Sequence, residues 1–159
     1  MIVLNLGCGE HPEGRGMIPP GAEVTCHDRF KHSPWVDVAH NLQDFPWPFS
    51  NDWFDYILMF DVIEHLPDTL ATMNEAWRIL KPGGELLIHT NNIEFPAQAF
   101  RDPTHVRYFQ FDSFDFFDPD TVWGRAYGRL YTNRYWRIEE KQRVGQEIQV
   151  LLQKGVSPQ

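Results

Sequence analysis

The stretch that decides the fold stands at the start of the chain, where residues 1–10 read MIVLNLGCGE. Ile2 to Leu6 form an apolar run with a β-branched pair, which predicts a short strand buried on both faces. The run ends at Gly7 and Gly9, which lack a Cβ, so the chain can turn tightly there and bring backbone N–H groups close to a ligand. At the carboxyl end of a parallel strand, this pattern predicts a ligand-binding edge.

A loop and six further strands are predicted beyond the glycines. Prolines and glycines over residues 10–21 exclude a long helix. The predicted elements are strands at 22–27, 35–40, 53–60 and 85–90, a helix at 67–80, and an antiparallel hairpin at 135–144 and 147–154. This succession predicts a doubly wound, Rossmann-like α/β fold, with a mostly parallel seven-stranded sheet and an antiparallel C-terminal hairpin.

The composition is that of an ordinary globular protein. With 159 residues, of which 42% are apolar, we expect a single domain over residues 1–159 with a frayed tail at 155–159. The net charge of −8 disfavours sequence-independent binding to duplex nucleic acid. Two cysteines without CxxC spacing, and no apolar run long enough for a signal peptide or a membrane span, predict a cytoplasmic protein with reduced thiols. The oligomeric state is left open.

Two apolar features could serve packing or function. Leu70, Met73, Trp77 and Leu80 recur at helical spacing, which we interpret as the packing face of the predicted helix. Residues 95–120 are rich in aromatic side chains, which could fill the core, form a lid over a cofactor, or line a substrate site.

An ordered set of motifs runs over residues 1–90. The motifs are LNLGCG at 4–9, Asp28, Asn41-Leu42, FPWPF at 45–49, FDYI at 54–57, VIEHL at 62–66 and RILKPGG at 78–84. Each motif is weak alone, but the set in this order resembles the class I S-adenosylmethionine-dependent methyltransferases. In addition, DPTHVR at 102–107 resembles a segment of small bacterial and phage members of that family.

The resemblance implies S-adenosylmethionine as the cofactor. Gly7 and Gly9 would pass under its methionine and ribose, Asp28 would bind the ribose hydroxyls, and Asn41 and Leu42 would meet the adenine edge. An acidic residue about 20 positions past the glycines is also what a ribose hydroxyl pair requires. The predicted cofactor-binding residues are Asn5, Gly7, Cys8, Gly9, Asp28, Arg29, Asn41, Leu42 and Asp61, the last near the methionine part.

The implied activity is methyl transfer to an unidentified acceptor, which we expect to be an oxygen or nitrogen of a small molecule or glycan. Transfer is an in-line displacement, so the protein chiefly needs to hold the acceptor about 3 Å from the methyl group and exclude water. A base is needed only where the acceptor must lose a proton. His65 and His105 are the candidates, because imidazole titrates near neutrality.

A metal hypothesis attaches to the D-x-x-E-H spacing of Asp61, Glu64 and His65. This spacing resembles the divalent-metal cluster of ubiquinone-pathway O-methyltransferases and of methyltransferases that act on small-RNA 3′ ends, with His105 available as a fourth ligand. Carboxylate and imidazole ligands could hold Mg²⁺, Mn²⁺ or Zn²⁺. Many relatives carry Glu-His here without a metal, so no metal is assigned.

Two other readings of the sequence stay open. A nicotinamide dinucleotide site also uses Gly-x-Gly after a strand, but it requires a third glycine that opens into a helix, whereas this chain has Pro12 followed by the predicted loop. The second alternative is a catalytically silent S-adenosylmethionine-binding module that acts as a partner or sensor.

Overall fold

A seven-stranded mixed sheet organises residues 1–155, the part of the chain that the computed structural model describes. The strands are β1 (Ile2–Leu6), β2 (Glu23–Asp28), β3 (Val38–Ala39), β4 (Phe54–Phe60), β5 (Leu80–Asn91), β6 (Trp136–Val144) and β7 (Glu147–Lys154). Their order across the sheet is β3-β2-β1-β4-β5-β7-β6, with β1 to β5 parallel and β7 antiparallel to both of its neighbours. The predicted fold class is therefore confirmed.

The register of the central strands brings their carboxyl ends to one edge. Leu6 lies opposite His27 on β2 and Met59 on β4. The residues that follow these positions, including Gly7, Asp28 and Asp61, consequently emerge side by side, as expected at the carboxyl ends of parallel strands. This edge positions the candidate site.

The principal helix, α1 (Thr69–Ile79), connects β4 to β5. Asp68 caps its amino end, because one carboxylate oxygen accepts a hydrogen bond from Ala71 N at 2.9 Å. The buried face consists of Thr72, Met73, Ala76 and Ile79. The predicted packing face is wrong at Leu70. This side chain is 37% exposed, because it lies in the first turn of α1, at the edge of the surface that the helix buries.

The remaining helical segments are short. They are α2 (Pro96–Ala99), α3 (Arg129–Tyr131), 3₁₀ turns at Gly14–Gly16, Ile63–His65 and Ser113–Phe117, and a π turn at Gly124–Gly128. Among residues 1–155, no helix combines the length and apolar character that crossing a bilayer requires.

The main core lies between the α1 side of the sheet and the aromatic segment. Phe109, Phe114 and Phe117 are buried there with Trp136 at the start of β6. This part of the aromatic segment therefore fills the core. Residues 98–107, in contrast, extend over the carboxyl edge of the sheet and line cavities there.

A pinned loop, residues 7–22, covers the other face over β1 and β4. Asn5 donates a hydrogen bond from its side-chain amide to His11 O at 2.9 Å. Gly14 packs so closely that a Cβ would stand 2.5 Å from Leu58 and 2.8 Å from Ile18. The loop thus occupies the place where a doubly wound fold commonly carries a crossover helix, as its prolines and glycines predict.

Two strands, the third and the fifth, differ from the prediction by more than one residue. The third strand is reduced to Val38–Ala39, because Asp37 pairs with Cys26 through its backbone and its carboxylate, which accepts from Cys26 N at 2.8 Å. The fifth strand begins at Leu80, before the Pro-Gly-Gly segment, and its register with β4 shifts there. In the predicted tail, Gly155 N donates to Tyr135 O at 2.9 Å, and residues 156–159 lie outside the described residues.

Candidate functional site

Three cavities meet at the carboxyl edge of the sheet, and Asp61 lines all three. The large cavity, of about 500 Å³, is lined by residues that include Gly7, His27, Asp28, Arg29, Asn41, Leu42, Asp61 and His65. The glycine cavity, of about 160 Å³, is lined by Asn5, Gly7, Cys8, Gly9, His11, Gly14, Arg15, Phe60 and Asp61. The polar cavity, of about 220 Å³, is lined by Asp61, Glu64, His65, Asn91, Gln98, Arg101, Asp102, His105 and Glu147.

All nine predicted cofactor-binding residues line the large cavity or the glycine cavity. His65 and His105, the two predicted catalytic residues, both line the polar cavity. A wider depression of about 580 Å³, at the start of α1, contains none of these residues. The roles predicted for them stay predictions, but the structure brings them to one place.

The two glycines form a turn that a side chain would obstruct. Gly7 has φ +66° and Gly9 has φ +51°, in the left-handed region that favours glycine. A Cβ on Gly7 would collide with the side chain of Val62. The backbone can therefore lie against whatever occupies the junction between the large and the glycine cavities.

Asp28 is an ionised acceptor fixed by the backbone. One carboxylate oxygen accepts from Gly9 N at 2.9 Å and the other from Arg29 N at 2.6 Å. Burial raises the pKa of Asp28, but these hydrogen bonds and His32 outweigh burial and leave the pKa below its ordinary value. The Arg29 guanidinium lies 5.2 Å from the centre of the Phe30 ring.

The far wall of the large cavity comes from the segment after β3. The side-chain oxygen of Asn41 accepts a hydrogen bond from Gln43 N at 3.3 Å, which stabilises the turn at residues 41–43. The next residue, Leu42, is buried. His27, which is 1% exposed, lies 3.0 Å from His40 O through Nε2. Burial lowers the pKa of His27 to about 4, so the ring is neutral at pH 7 with its proton on Nε2.

Asn5 and Cys8 contribute to the edge through structure rather than through free polar groups. Asn5 is buried, and its amide holds the pinned loop at His11. The Cys8 thiol is buried beside Cys26 and Val36, and burial raises its pKa to about 12. The thiol is thus an inert apolar group, and the backbone of Cys8 is the part that faces the turn.

Asp61 anchors the junction of the cavities. Its φ is +55°, uncommon for a residue other than glycine, and its backbone N–H donates to His89 O at 2.9 Å. Arg15 donates to one carboxylate oxygen at 2.8 Å, and His89 Nδ1 lies 3.4 Å from the other. Burial raises the pKa of Asp61, but His89 and Arg15 outweigh it, so the pKa is lowered and the carboxylate is ionised.

His89 joins Asp61 to the terminal hairpin. Its Nε2 atom lies 3.2 Å from a carboxylate oxygen of Glu147, at the start of β7. The Asp61 carboxylate beside Nδ1 is the largest cause of the raised pKa of His89. A chain of carboxylate, imidazole and carboxylate therefore runs along one side of the polar cavity.

The two predicted catalytic histidines lie together with their Nδ1 atoms engaged. Their ring centres are 4.8 Å apart. His105 Nδ1 is 2.7 Å from Ala99 O and so carries the proton. The Thr104 hydroxyl donates to Asp102 at 2.6 Å, and therefore accepts from His65 Nδ1 at 3.0 Å. In the neutral state both rings keep Nε2 unprotonated.

The predicted metal-ligand set assembles only in part. His65 and His105 offer ligand atoms within 4.8 Å of each other together with Asp102, whereas Asp61 belongs to a separate group with His89 and Glu147. The Glu64 side chain is only 2% exposed, and burial raises its pKa. Its Oε1 atom accepts a hydrogen bond from Asn91 N at 3.3 Å, whereas Oε2 has no hydrogen-bond partner among the described residues. A metal held by His65 and His105 would thus draw on Asp102 rather than on Asp61.

Sequence reasoning missed several residues at this edge. They are Arg15, His27, His89, Asp102 and Glu147. Asp102 stands within a quoted motif, and Arg15 is flanked by two glycines, so both had a local signal. His89 and Glu147 meet Asp61 only through the pairing of β4, β5 and β7, which no local pattern reveals.

Comparisons with known proteins agree with the geometry. A family model described as a methyltransferase domain matches residues 1–147. A probable S-adenosylmethionine-dependent methyltransferase of Mycolicibacterium smegmatis is 36% identical over 101 residues, which are 57% of this chain and 38% of that protein. A ubiquinone biosynthesis O-methyltransferase of Aromatoleum aromaticum is 28% identical over 111 residues, which are 62% of this chain and 47% of that protein. The chain spans less than half the length of these curated relatives.

A solved structure extends the likeness to the whole fold. It is a chain from the complex of the Haloferax volcanii Trm112 methyltransferase activator with a methyltransferase, and the TM-score is 0.69 at 14% identity. The match covers 99% of this chain and 83% of that chain. At this identity, the match establishes the fold alone.

Proposed function

Because the chain belongs to the methyltransferase-domain family, within the class I S-adenosylmethionine-dependent methyltransferases, we propose that it methylates an oxygen or nitrogen of a small molecule or glycan, with S-adenosylmethionine as donor. The observation that carries this proposal is the meeting of three cavities at Asp61. A cofactor that lies across the large and the glycine cavities has its sulfonium near their junction, beside the polar cavity. The acceptor occupies the polar cavity.

The large cavity takes the adenosine part. Asp28 is ionised and already fixed by two backbone N–H groups, so it can accept hydrogen bonds from ribose hydroxyls without having to reorient. Asn41 and Leu42 offer an amide and an apolar surface to the adenine. The ionised carboxylate of Asp61 suits a sulfonium cation better than a pyrophosphate.

The polar cavity limits the acceptor to polar molecules. Its nine lining residues comprise four carboxylic acids, two histidines, two amides and one arginine, with no apolar side chain among them. Such a lining offers hydrogen-bond partners to hydroxyl and amine groups and no surface for a hydrocarbon or a bare aromatic ring. This supports an acceptor such as a sugar or a small amine.

In this proposal, most of the rate enhancement comes from positioning the acceptor against the sulfonium, and one of the two histidines acts as the general base. Methyl transfer needs the acceptor atom in line with the sulfonium at about 3 Å, which the adjoining cavities favour. Where the acceptor must lose a proton, Nε2 of His65 or of His105 accepts it, because Nδ1 of each ring is held in its protonated form. Thr104 and Asp102 keep His65 in that tautomer.

The proposal is tested by incubating the protein with methyl-labelled S-adenosylmethionine and a panel of sugars, amines and cell metabolites. We expect label in a polar acceptor. Where that acceptor must lose a proton, we expect a loss of rate of about 10²-fold or more in His65→Gln or in His105→Gln, whichever ring supplies the base, and unchanged affinity of His105→Gln for S-adenosylhomocysteine. EDTA in the same assay tests the metal hypothesis, which predicts loss of transfer that added divalent metal restores. Tight cofactor binding with no label transferred would instead support a silent binding module, and no binding at all would refute the proposal.

A further inference from the structure

We propose that residues 122–131 form a surface helix that docks on a lipid bilayer with anionic headgroups. These residues are helical without a break, through the π turn at Gly124–Gly128 and through α3, and we call them the outer helix. The outer helix lines none of the cavities described above. The inference therefore goes beyond the proposed function and does not depend on it.

The outer helix is attached to the rest of the protein through two glycines. Gly124 and Gly128 are four residues apart, on one side of the helix, and both are buried. A Cβ on Gly124 would collide with the backbone of Asp118, and a Cβ on Gly128 would stand 2.6 Å from Phe116 O. This side of the helix consequently packs against backbone, and the large side chains extend from its other sides.

Apolar side chains form two rows on the exposed sides of the outer helix. Each row repeats every four residues, and the rows consist of Val122, Ala126 and Leu130 and of Trp123, Tyr127 and Tyr131. All six side chains are exposed, Val122 by 79% and Leu130 by 76%. A surface helix normally buries its apolar rows. The outer helix turns them toward solvent instead, which is typical of an interaction surface.

The aromatic row is held in a fixed arrangement by Phe116. The centre of the Phe116 ring lies 5.6 Å from that of Trp123, 6.3 Å from that of Tyr127 and 6.2 Å from that of Tyr131. Because the rings are already packed against one another, they lose little further conformational freedom when a surface covers them.

The charged side chains of this region are all positive. Residues 121–138 contain four arginines and no acidic residue, in a chain whose net charge is −8. Arg125 and Arg129 form a further row beside the aliphatic one, and both are exposed. Arg125 donates to the backbone oxygen of Asp120 at 3.2 Å, and Arg129 makes no side-chain hydrogen bond or ion pair within residues 1–155. Since neither arginine is paired with a carboxylate of the described residues, the row favours an anionic surface.

A bilayer fits the outer helix better than nucleic acid or a protein does. Val122 and Leu130 are aliphatic, so they cannot stack on bases as the side chains of a nucleic-acid surface do. They stand on a convex helix, whereas the anchors of a protein interface fill well-packed pockets. A bilayer deforms around protruding apolar side chains, its interface favours Trp and Tyr rings, and its anionic headgroups attract arginine. The helix is too short to cross the hydrocarbon core, so the contact is with one face of the bilayer.

The outer helix leads toward the edge of the sheet opposite the candidate site. The Thr132 hydroxyl, just after the helix, donates to the side-chain oxygen of Asn74 on α1 at 2.6 Å. The strand that follows, β6, begins at Trp136 opposite Lys154, and Lys154 Nζ donates to Leu80 O at the start of β5. This is the amino edge of the parallel strands. A bilayer that contacts the outer helix therefore leaves the cavities at the carboxyl edge accessible.

The experiment measures co-sedimentation with vesicles of phosphatidylglycerol and phosphatidylcholine in equal parts, and with vesicles of phosphatidylcholine alone. The variants are Leu130→Gln and Arg129→Gln. The matched controls are Phe30→Gln and Lys31→Gln, at an exposed apolar and an exposed basic residue that follow β2, on the other side of the sheet from β6. Far-UV circular dichroism checks that each variant is folded. Sedimentation velocity without vesicles gives the oligomeric state, and fluorescence polarisation measures binding to single-stranded RNA.

We expect the wild type to bind the anionic vesicles and to bind them less at high salt, because salt screens the arginines. Leu130→Gln should lower the partition coefficient by about tenfold or more, since an inserted aliphatic side chain is lost. Arg129→Gln should lower it by about fivefold on the anionic vesicles and leave binding to phosphatidylcholine alone unchanged. Both controls should stay within about twofold of the wild type.

Four results overturn the inference. They are a wild type that does not bind the anionic vesicles, equal losses in the variants and the controls, a dimer that Leu130→Gln dissociates, and binding of RNA through the outer helix without binding of vesicles. The third result would assign the helix to a contact between copies of the chain, and the fourth to a nucleic acid. Methyl transfer is measured by the label assay in a separate experiment, so the proposed function stands or falls independently.

Discussion

At the scale of single residues, Asp28 connects the glycine turn to the second strand. Its carboxylate accepts from the backbone of Gly9 on one oxygen and of Arg29 on the other, which fixes the turn and orients the carboxylate toward the large cavity. The same group thus stabilises the glycine turn and, under the proposed function, is oriented to accept hydrogen bonds from a ribose. A change at this position should affect both the free energy of unfolding and the affinity for the cofactor.

We expect Asp28→Ala to lower the free energy of unfolding by about 1–2 kcal/mol, because two backbone donors lose a charged acceptor. It should weaken S-adenosylhomocysteine by about 10- to 100-fold, since the ribose loses the same acceptor. Urea denaturation and calorimetry measure the two effects. Asp112→Asn, at an exposed aspartate outside the cavities, is the control and should change neither quantity. Unchanged affinity in Asp28→Ala would contradict the ribose assignment.

His27 gives the protein a pH dependence of known sign. Burial lowers its pKa to about 4, whereas the pKa of histidine in an unfolded chain is about 6.5. Between these two values the unfolded chain binds a proton that the folded protein does not, so stability falls as the pH falls from 6.5 toward 4. Glu64 and His89 have raised pKa values and act in the opposite sense: each stabilises the fold below its unfolded pKa and loses this effect as the pH rises.

Because these groups oppose each other, the prediction concerns the difference between the wild type and His27→Gln. The free energy of unfolding of the wild type, relative to the variant, should fall by about 2 kcal/mol when the pH is lowered from 7 to 5. Urea unfolding followed by tryptophan fluorescence at pH 7, 6 and 5 gives this difference. Val122→Ala, at an exposed residue without a titratable group, should keep the wild-type dependence. A difference that does not vary with pH would mean that His27 titrates normally in the folded protein.

At the scale of elements, the pinned loop is the part that departs most from a doubly wound domain. It occupies the space of a crossover helix, with a single 3₁₀ turn, and brings Arg15 to the edge of the sheet. Its contact with the sheet depends on Gly14, which leaves no room for a Cβ between Leu58 and Ile18. Gly16 has a similar left-handed backbone, but nothing lies within 4 Å of its Cβ position.

The two glycines therefore form a matched pair. Gly16→Ala should cost about 1 kcal/mol of unfolding free energy, from the left-handed backbone alone. Gly14→Ala should cost about 1–3 kcal/mol more, because the added methyl group must displace the side chains of Leu58 and Ile18. It should also weaken S-adenosylhomocysteine, since Gly14 lines the glycine cavity and the cavity changes shape when the turn moves. Chemical denaturation and calorimetry on both variants check this. Equal losses of stability would contradict the contact of Gly14 with the sheet.

At the scale of the whole molecule, the sequence predicted the sheet because its strands carry local signals. The apolar run before Gly7, the helix between Pro67 and Gly83, and the alternating pattern around Gly145 each indicate one element and its approximate limits. Leu70 was misplaced because helical spacing identifies a face but not where the neighbouring surface ends. Packing at a rim depends on the whole assembly.

The candidate site was predictable where its residues follow strands. The ends of β1, β2 and β4 share an edge by topology, so Gly7, Asp28 and Asp61 could be grouped from their positions in the chain. The glycines that flank Arg15 indicate a turn, but Arg15 could not be placed at this edge, because its position depends on how a loop of uncommon backbone folds against the sheet. Glu147 could not either, since it reaches the edge only through the antiparallel pairing of β7 with β5.

The binding of one ligand across these strand ends should stabilise the entire sheet. A ligand that binds only the folded state, at 100 times its dissociation constant, adds about 2.7 kcal/mol to the free energy of unfolding. For a domain of this size, that corresponds to a rise in Tm of roughly 5–10 °C. We expect S-adenosylhomocysteine to produce this rise in a thermal scan and NADH to produce none, because the turn at Gly9 leads into a pinned loop and not into a helix whose amino end could hold a pyrophosphate. An equal rise with NADH would mean that the edge accepts nucleotides in general, and it would contradict the proposed roles of Asp28 and Asp61 in binding a sulfonium-bearing nucleoside.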